Sequence, residues 1–235
     1  MACPMLFRFA LLLGAIVGVI AGMSIGSPVA SAQAVMGSVV QFSPLNRAKS
    51  LEALENTSPQ QRLAAVASLG AIGTMADADR LVSHLHDANA QVRQLTGTAL
   101  WQIWSRSGNK DIDTLYQQGV TQMEASKLRE AVVTFTTIIA RRPAFAEAWN
   151  KRATLYYMLG ELDLSLKDCE QVIKRNPNHY GALSGYAQIY LQKGDLEQAM
   201  TYLERAIKVN PNLQDISEAI EQLQQKLEHK RRNTI

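Results

Sequence analysis

The chain has 235 residues, 47% of them hydrophobic and 6% aromatic, enough for one sizeable domain or two small ones. Its 24 basic and 21 acidic residues give a formal charge of +3 with the signs interspersed, which argues against the basic stripe of a nucleic-acid-binding protein.

Residues 1–32 read as a secretory signal peptide. Arg8 precedes an apolar run from Phe9 to Met23, and the small-residue pattern Ala30-Ser31-Ala32 follows it. The run falls short of the ~20 residues a spanning helix needs, so cleavage after Ala32 or Ala34 and a periplasmic or secreted location are expected. The alternative is an inner-membrane anchor, because Gly14, Gly18 and Gly22 recur at a spacing that lets membrane helices pack closely. Residues 33–43 read as a flexible leader. Cys3 would leave with the signal, and the single remaining thiol, Cys169, falls at a core position, so no internal disulfide is expected.

Residues 44–106 carry a pattern that recurs once at a fixed offset, in which Arg62 to Ile72 aligns with Arg93 to Ile103, Leu51 and Leu54 with Val82 and Leu85, and Asn56 with Asp87. The pattern resembles HEAT-like repeats, in which a polar turn precedes an arginine and a helix of small and aliphatic residues. Residues 112–212 repeat three times at one longer interval: Pro143, Pro177 and Pro211; Gly119, Ala153 and Ala187; Ala131, Ser165 and Ala199; Ile139, Ile173 and Ile207. A period of about 34 residues marks a solenoid of hairpins that bury their apolar faces only by stacking. With Trp149, Ala153, Tyr156, Gly160 and Pro177 in the middle unit, the segment resembles tetratricopeptide repeats. Gln122 and Cys169 depart from that pattern at positions where sister units carry aromatics. Residues 213–235 place Ile216, Ile220, Leu223 and Leu227 on one helical face and end in a basic tail, as a capping helix does. The expected fold is all-α, an α-solenoid of HEAT-like and then tetratricopeptide hairpins.

Nothing in the chain reads as catalytic, cofactor-binding or metal-binding. His84 and His86 are two apart and point to different faces of a helix; His179 and His229 lie far from any zinc-spaced partner; the pairs Glu161/Asp163 and Asp111/Asp113 sit at helix starts, where acids favour the dipole. The resemblance implies instead a concave groove lined by the first helix of each hairpin. Its stripe would comprise Tyr116, Val120 and Met123; Asn150, Thr154, Tyr157 and Met158; Ser184, Gln188 and Leu191, each set on one helical face. Tyr116, Val120, Asn150, Thr154, Tyr157, Ser184 and Gln188 are the expected contacts to a protein or peptide partner. Neither nucleic acid nor a small-molecule substrate is expected, and membrane contact only through an uncleaved N-terminus. The expected function is a non-catalytic scaffold or adaptor in a bacterial cell envelope. Its alternatives are a membrane-anchored assembly factor and an accessory or lyase-like enzyme built on the HEAT-like repeats.

Overall fold

The computed structural model describes residues 45–232. Residues 1–44, which hold the expected signal and leader, and residues 233–235 lie outside them. The described part is an α-solenoid, and no strand occurs among the described residues. The helices are α1 (Arg47–Ala53), α2 (Pro59–Ile72), α3 (Met75–Ser83), α4 (Ala90–Trp104), α5 (Lys110–Glu124), α6 (Leu128–Arg141), α7 (Ala146–Met158), α8 (Leu162–Arg175), α9 (Tyr180–Lys193), α10 (Leu196–Val209) and α11 (Gln214–Arg232). The described residues form one compact unit.

Polar residues at the helix starts fix the hairpin boundaries. Asn89 and Asn109 each accept two backbone N–H bonds at the starts of α4 and α5, meeting donors that would otherwise lack a partner. The prolines act at the other ends. Arg142, Asn176 and Asn210, each just before a repeat proline, take φ of −142°, −140° and −129° with positive ψ, because the following ring clashes with a helical predecessor.

Small residues set how closely the paired helices approach. A Cβ built on Gly119 would lie 2.7 Å from the Phe135 ring, and the Ser165 hydroxyl donates to the Ala153 carbonyl at 2.7 Å. Larger side chains would force α5 from α6 and α7 from α8. Cys169 is buried between Ala153, Tyr186 and Ile189, and burial pushes its thiol up to about 12.

Between the two helices of each C-terminal repeat the chain turns through a left-handed residue. Gly160 and Gly194 serve at φ 77° and 79°, and Ser126, at the equivalent position one repeat before Gly160, adopts φ 58°. A side chain in that region costs roughly 1–2 kcal/mol. Ser126→Gly is therefore expected to raise stability by about 1 kcal/mol, read as a higher urea midpoint at unchanged slope.

The N-terminal helices make two hairpins, α1/α2 and α3/α4, and α2 packs on α4. Two arginines at equivalent positions play the same part in each. Arg62 donates to the carbonyls of Asn56 and Thr57 and forks onto Asp87 at 2.7 and 2.8 Å. Arg93 donates to the carbonyls of Asp87 and Ala88, and its Nε reaches Asn212 at 2.8 Å. The turn after α10 thus stands where a further N-terminal hairpin would supply its acid. Asn212 also donates to the Leu85 carbonyl at 2.8 Å.

One apolar core joins this region to the last repeat. Leu54, Leu69, Leu81, Leu85, Leu100, Ile103 and Trp104 cluster with Tyr180, and Val209 and Leu213 pack against them.

Candidate functional site

The inner stripe of the repeats is not uniformly open. Part of it, at Lys151 of α7 and the start of α9, is covered by the C-terminal end of α4. Trp104 is buried and stacks on the His179 ring with centroids 4.5 Å apart and planes 22° from parallel. Trp101 meets His179 and Tyr180 edge-on at 5.3 and 5.7 Å, and the Lys151 ammonium lies 5.9 Å from its ring centroid. Gly181 makes the approach possible, since a Cβ there would sit 2.7 Å from the Trp101 ring edge.

Beneath the two indoles lies a buried carboxylate, Glu147, with a fully covered side chain and four donors. Its Oε1 accepts from the Tyr116 hydroxyl at 3.3 Å and the Lys151 ammonium at 3.2 Å. Its Oε2 accepts from the Asn150 amide at 3.1 Å and from His179 Nε2 at 2.8 Å. His179 Nδ1 in turn accepts from the Ala182 N–H at the start of α9, which leaves Nε2 to donate to Glu147. Burial drives the Glu147 carboxyl upward, and Lys151 followed by His179 more than offsets it, leaving the group at about 2. Burial pulls the Lys151 ammonium down, and the negative charge of Glu147, with smaller contributions from Tyr116, more than offsets it, leaving the group above its ordinary range. Burial raises the Tyr116 hydroxyl, and the negative charge of Glu147 adds to it. The hub binds α5, α7 and the start of α9 to one another.

The seven expected contact residues fall into two groups. Tyr116, Asn150 and Gln188 are buried, the first two as donors to Glu147, and they do not line an open surface. Tyr116 also packs its ring against Phe135 and Phe145. Val120, Thr154, Tyr157 and Ser184 remain partly exposed. Met158, next to Tyr157, is 53% exposed. The spacing locates the inner face of each helix but not the side chains that cover part of it.

Glu147, Lys151 and His179 are not among the residues that the sequence assigns to a site. Glu147 stands three positions before Asn150 on the same stripe, and His179 sits at the turn before α9, where a side-chain cap is needed; together these were the available signals. Among the described residues no group of three or more His, Cys, Asp or Glu side chains could hold a metal ion.

Residues 146–179 match one family model described as a tetratricopeptide repeat, and residues 163–227 match another of that description. A TPR repeat-containing protein of Rhizobium etli is 34% identical over 70 residues, covering 30% of this chain and 34% of the relative, so the chain spans about a third of that relative's length. Among solved structures, the Sgt2 TPR domain from Aspergillus fumigatus is similar with a TM-score of 0.50 at 21% identity, covering 53% of this chain and 83% of that one. YrrB, described as a TPR protein with an unusual peptide-binding site, gives a TM-score of 0.45 at 18% identity over 74% of this chain and 81% of its own. Residues 146–227 are thus tetratricopeptide repeats, in an α-solenoid whose fold the Sgt2 domain shares.

Proposed function

We propose that this chain is a non-catalytic interaction scaffold of the bacterial cell envelope, exported by its N-terminal signal, which holds an extended or helical segment of a partner protein along the open part of the repeat groove. The observation that carries this reading is the division of the stripe. The indoles of α4 and the Glu147 hub close one part of it, while Thr154, Tyr157 and Met158 stay accessible on one face of α7, flanked by Val120 and Ser184 on α5 and α9. An aromatic ring and a thioether supply contact area at low ordering cost, and the neighbouring hydroxyls can bond a peptide backbone.

The test uses Thr154→Arg, which places a long cation in the middle of the open stripe without touching the hub. Thr154 donates only to the Asn150 carbonyl one turn back, a bond of the kind exposed helical threonines commonly make. Partner capture from envelope extracts is expected to fall more than about tenfold, with the melting temperature nearly unchanged. The natural protein recovered in the same extracts is expected to begin at Gln33 or Val35. Capture equal to wild type would remove the groove from the reading, and a full-length chain in the membrane fraction would replace export by anchoring.

A further inference from the structure

We propose a second binding site, with no lining residue in common with the open groove, in the cleft where the α2–α3 turn meets the α4–α5 connection, taking a peptide segment that carries a bulky apolar side chain beside a carboxylate. The cleft encloses about 430 Å³. That falls within the range of pockets that bury small ligands or single side chains. Ile72, Met75 and Ile103 line it, together with Arg106 and Arg142. Ile72 and Met75 are 49% and 43% exposed, and they are two of the five large apolar side chains left exposed among the described residues. Their placement at one cleft makes a patch rather than two isolated exposures.

The charged side chains that line the cleft are all cationic. Arg106 is held in place by the carbonyls of Gly70, Ala71 and Gly73 at the end of α2, so its cation is fixed but opposed by no carboxylate. The Arg142 guanidinium, just past α6, is exposed and engages no other side chain or carbonyl among the described residues. No acid lines the cleft, and two that adjoin its lining residues are already engaged. Asp77 forks onto Arg47 and accepts from Thr74, and Asp113 accepts from the Ser107 N–H at 2.7 Å.

A small anion would satisfy the guanidiniums but leave Ile72 and Met75 in water, whereas a purely apolar group would reach the patch and ignore two cations. An acidic-apolar segment answers both. Its carboxylate can take the fork of Arg142 while its apolar side chain enters between Ile72, Met75 and Ile103. This site does not depend on the groove reading.

Fluorescence anisotropy of the full chain with labelled, amidated octapeptides tests the proposal. Each peptide carries Glu-Xaa-Xaa-Glu at its centre, with Phe, Leu, Met or Trp at the inner positions. Saturable binding is expected for at least one of them. Replacing both glutamates by glutamine, or making Arg142→Gln in the protein, is expected to weaken binding about tenfold, the scale of a charged hydrogen bond. Ile72→Asp is expected to abolish it, while Thr154→Arg leaves it unchanged. Both Arg142 and Ile72 are solvent-accessible, so the variants retain the fold. Equal binding of the glutamine peptides overturns the proposal, as does an absence of saturation by every peptide up to about 1 mM. Loss through Thr154→Arg instead of Arg142→Gln moves the peptide to the groove. Displacement by decanoate at lower concentration than by unlabelled peptide would assign the cleft to a free carboxylic amphiphile and overturn the peptide reading.

Discussion

Glu147→Gln is expected to destabilise the protein by about 3–5 kcal/mol, the cost of removing one partner from a buried ion pair. The amide keeps the shape of the carboxylate but not its charge, so the Lys151 ammonium loses its counter-ion. Each Glu147 oxygen faces two donors, so the amide NH₂ must oppose donors on whichever side it points. For a folded part of this size that corresponds to a fall in melting temperature of roughly 10 °C. The pH dependence has a definite sign. Glu147 lies at about 2 in the folded chain against an ordinary 4.5, so its stabilising contribution is complete above the unfolded value and is lost as pH falls from there through the folded one. Asp87, held at about 2 chiefly by the Arg62 guanidinium, adds loss in the same window. Urea unfolding at pH 7 and pH 3 should therefore show a smaller acid loss in Glu147→Gln than in wild type, with the Asp87 share remaining. Equal acid losses in the two proteins would mean that the carboxylate is not the hub described.

Trp104→Ala is expected to cost about 3–5 kcal/mol and to lower the stability of the N-terminal hairpins and the repeats together. The indole is 2% exposed, stacks on His179 and shares a core with Tyr180, so its removal opens a cavity on the seam between the two regions. A single transition, displaced equally by circular dichroism and by hydrogen exchange in α2 and α9, is the result to look for. Trp104→Phe should cost far less, within about 1.5 kcal/mol, because the ring is largely replaced and an indole N–H with no protein hydrogen-bond partner is removed. Two transitions, with only that of the N-terminal hairpins shifted, would show that the two cores are independent.

The repeat register was legible because proline, glycine and small residues act locally. Pro143, Pro177 and Pro211 force their predecessors out of the helix wherever the chain is placed, and Gly119 admits Phe135 by size alone. The site was only half legible. Helical spacing put Tyr116 and Asn150 on the inner stripe, but whether that stripe faces water depends on which distant side chains reach it. Trp101 and Trp104 carried a hint, two large aromatics near the end of a short array, whose cover had to come from elsewhere in the chain. Glu147 and Lys151, on either side of Asn150, read as ordinary exposed polar positions, and the arrival of His179 from the next repeat and of the α4 indoles makes that face an interior. Ser126 shows the converse. Its phase with Gly160 and Gly194 was present in the period, but a left-handed serine is visible only in the backbone angles.

The bond from Arg93 to Asn212 has a further consequence for how the protein is made. A nearest-neighbour array can consolidate unit by unit as it leaves the ribosome, but the side-chain partner of this arginine lies 119 residues downstream. At roughly 5–20 residues per second, that interval lasts about 6–24 s, during which the surface later covered by Tyr180, Val209 and Leu213 is without its cover. Truncation at the far end should be felt first at the near one. A nascent chain halted before the turn after α10 would expose its N-terminal hairpins to proteases and holdase chaperones, and release of the last repeat would end that exposure.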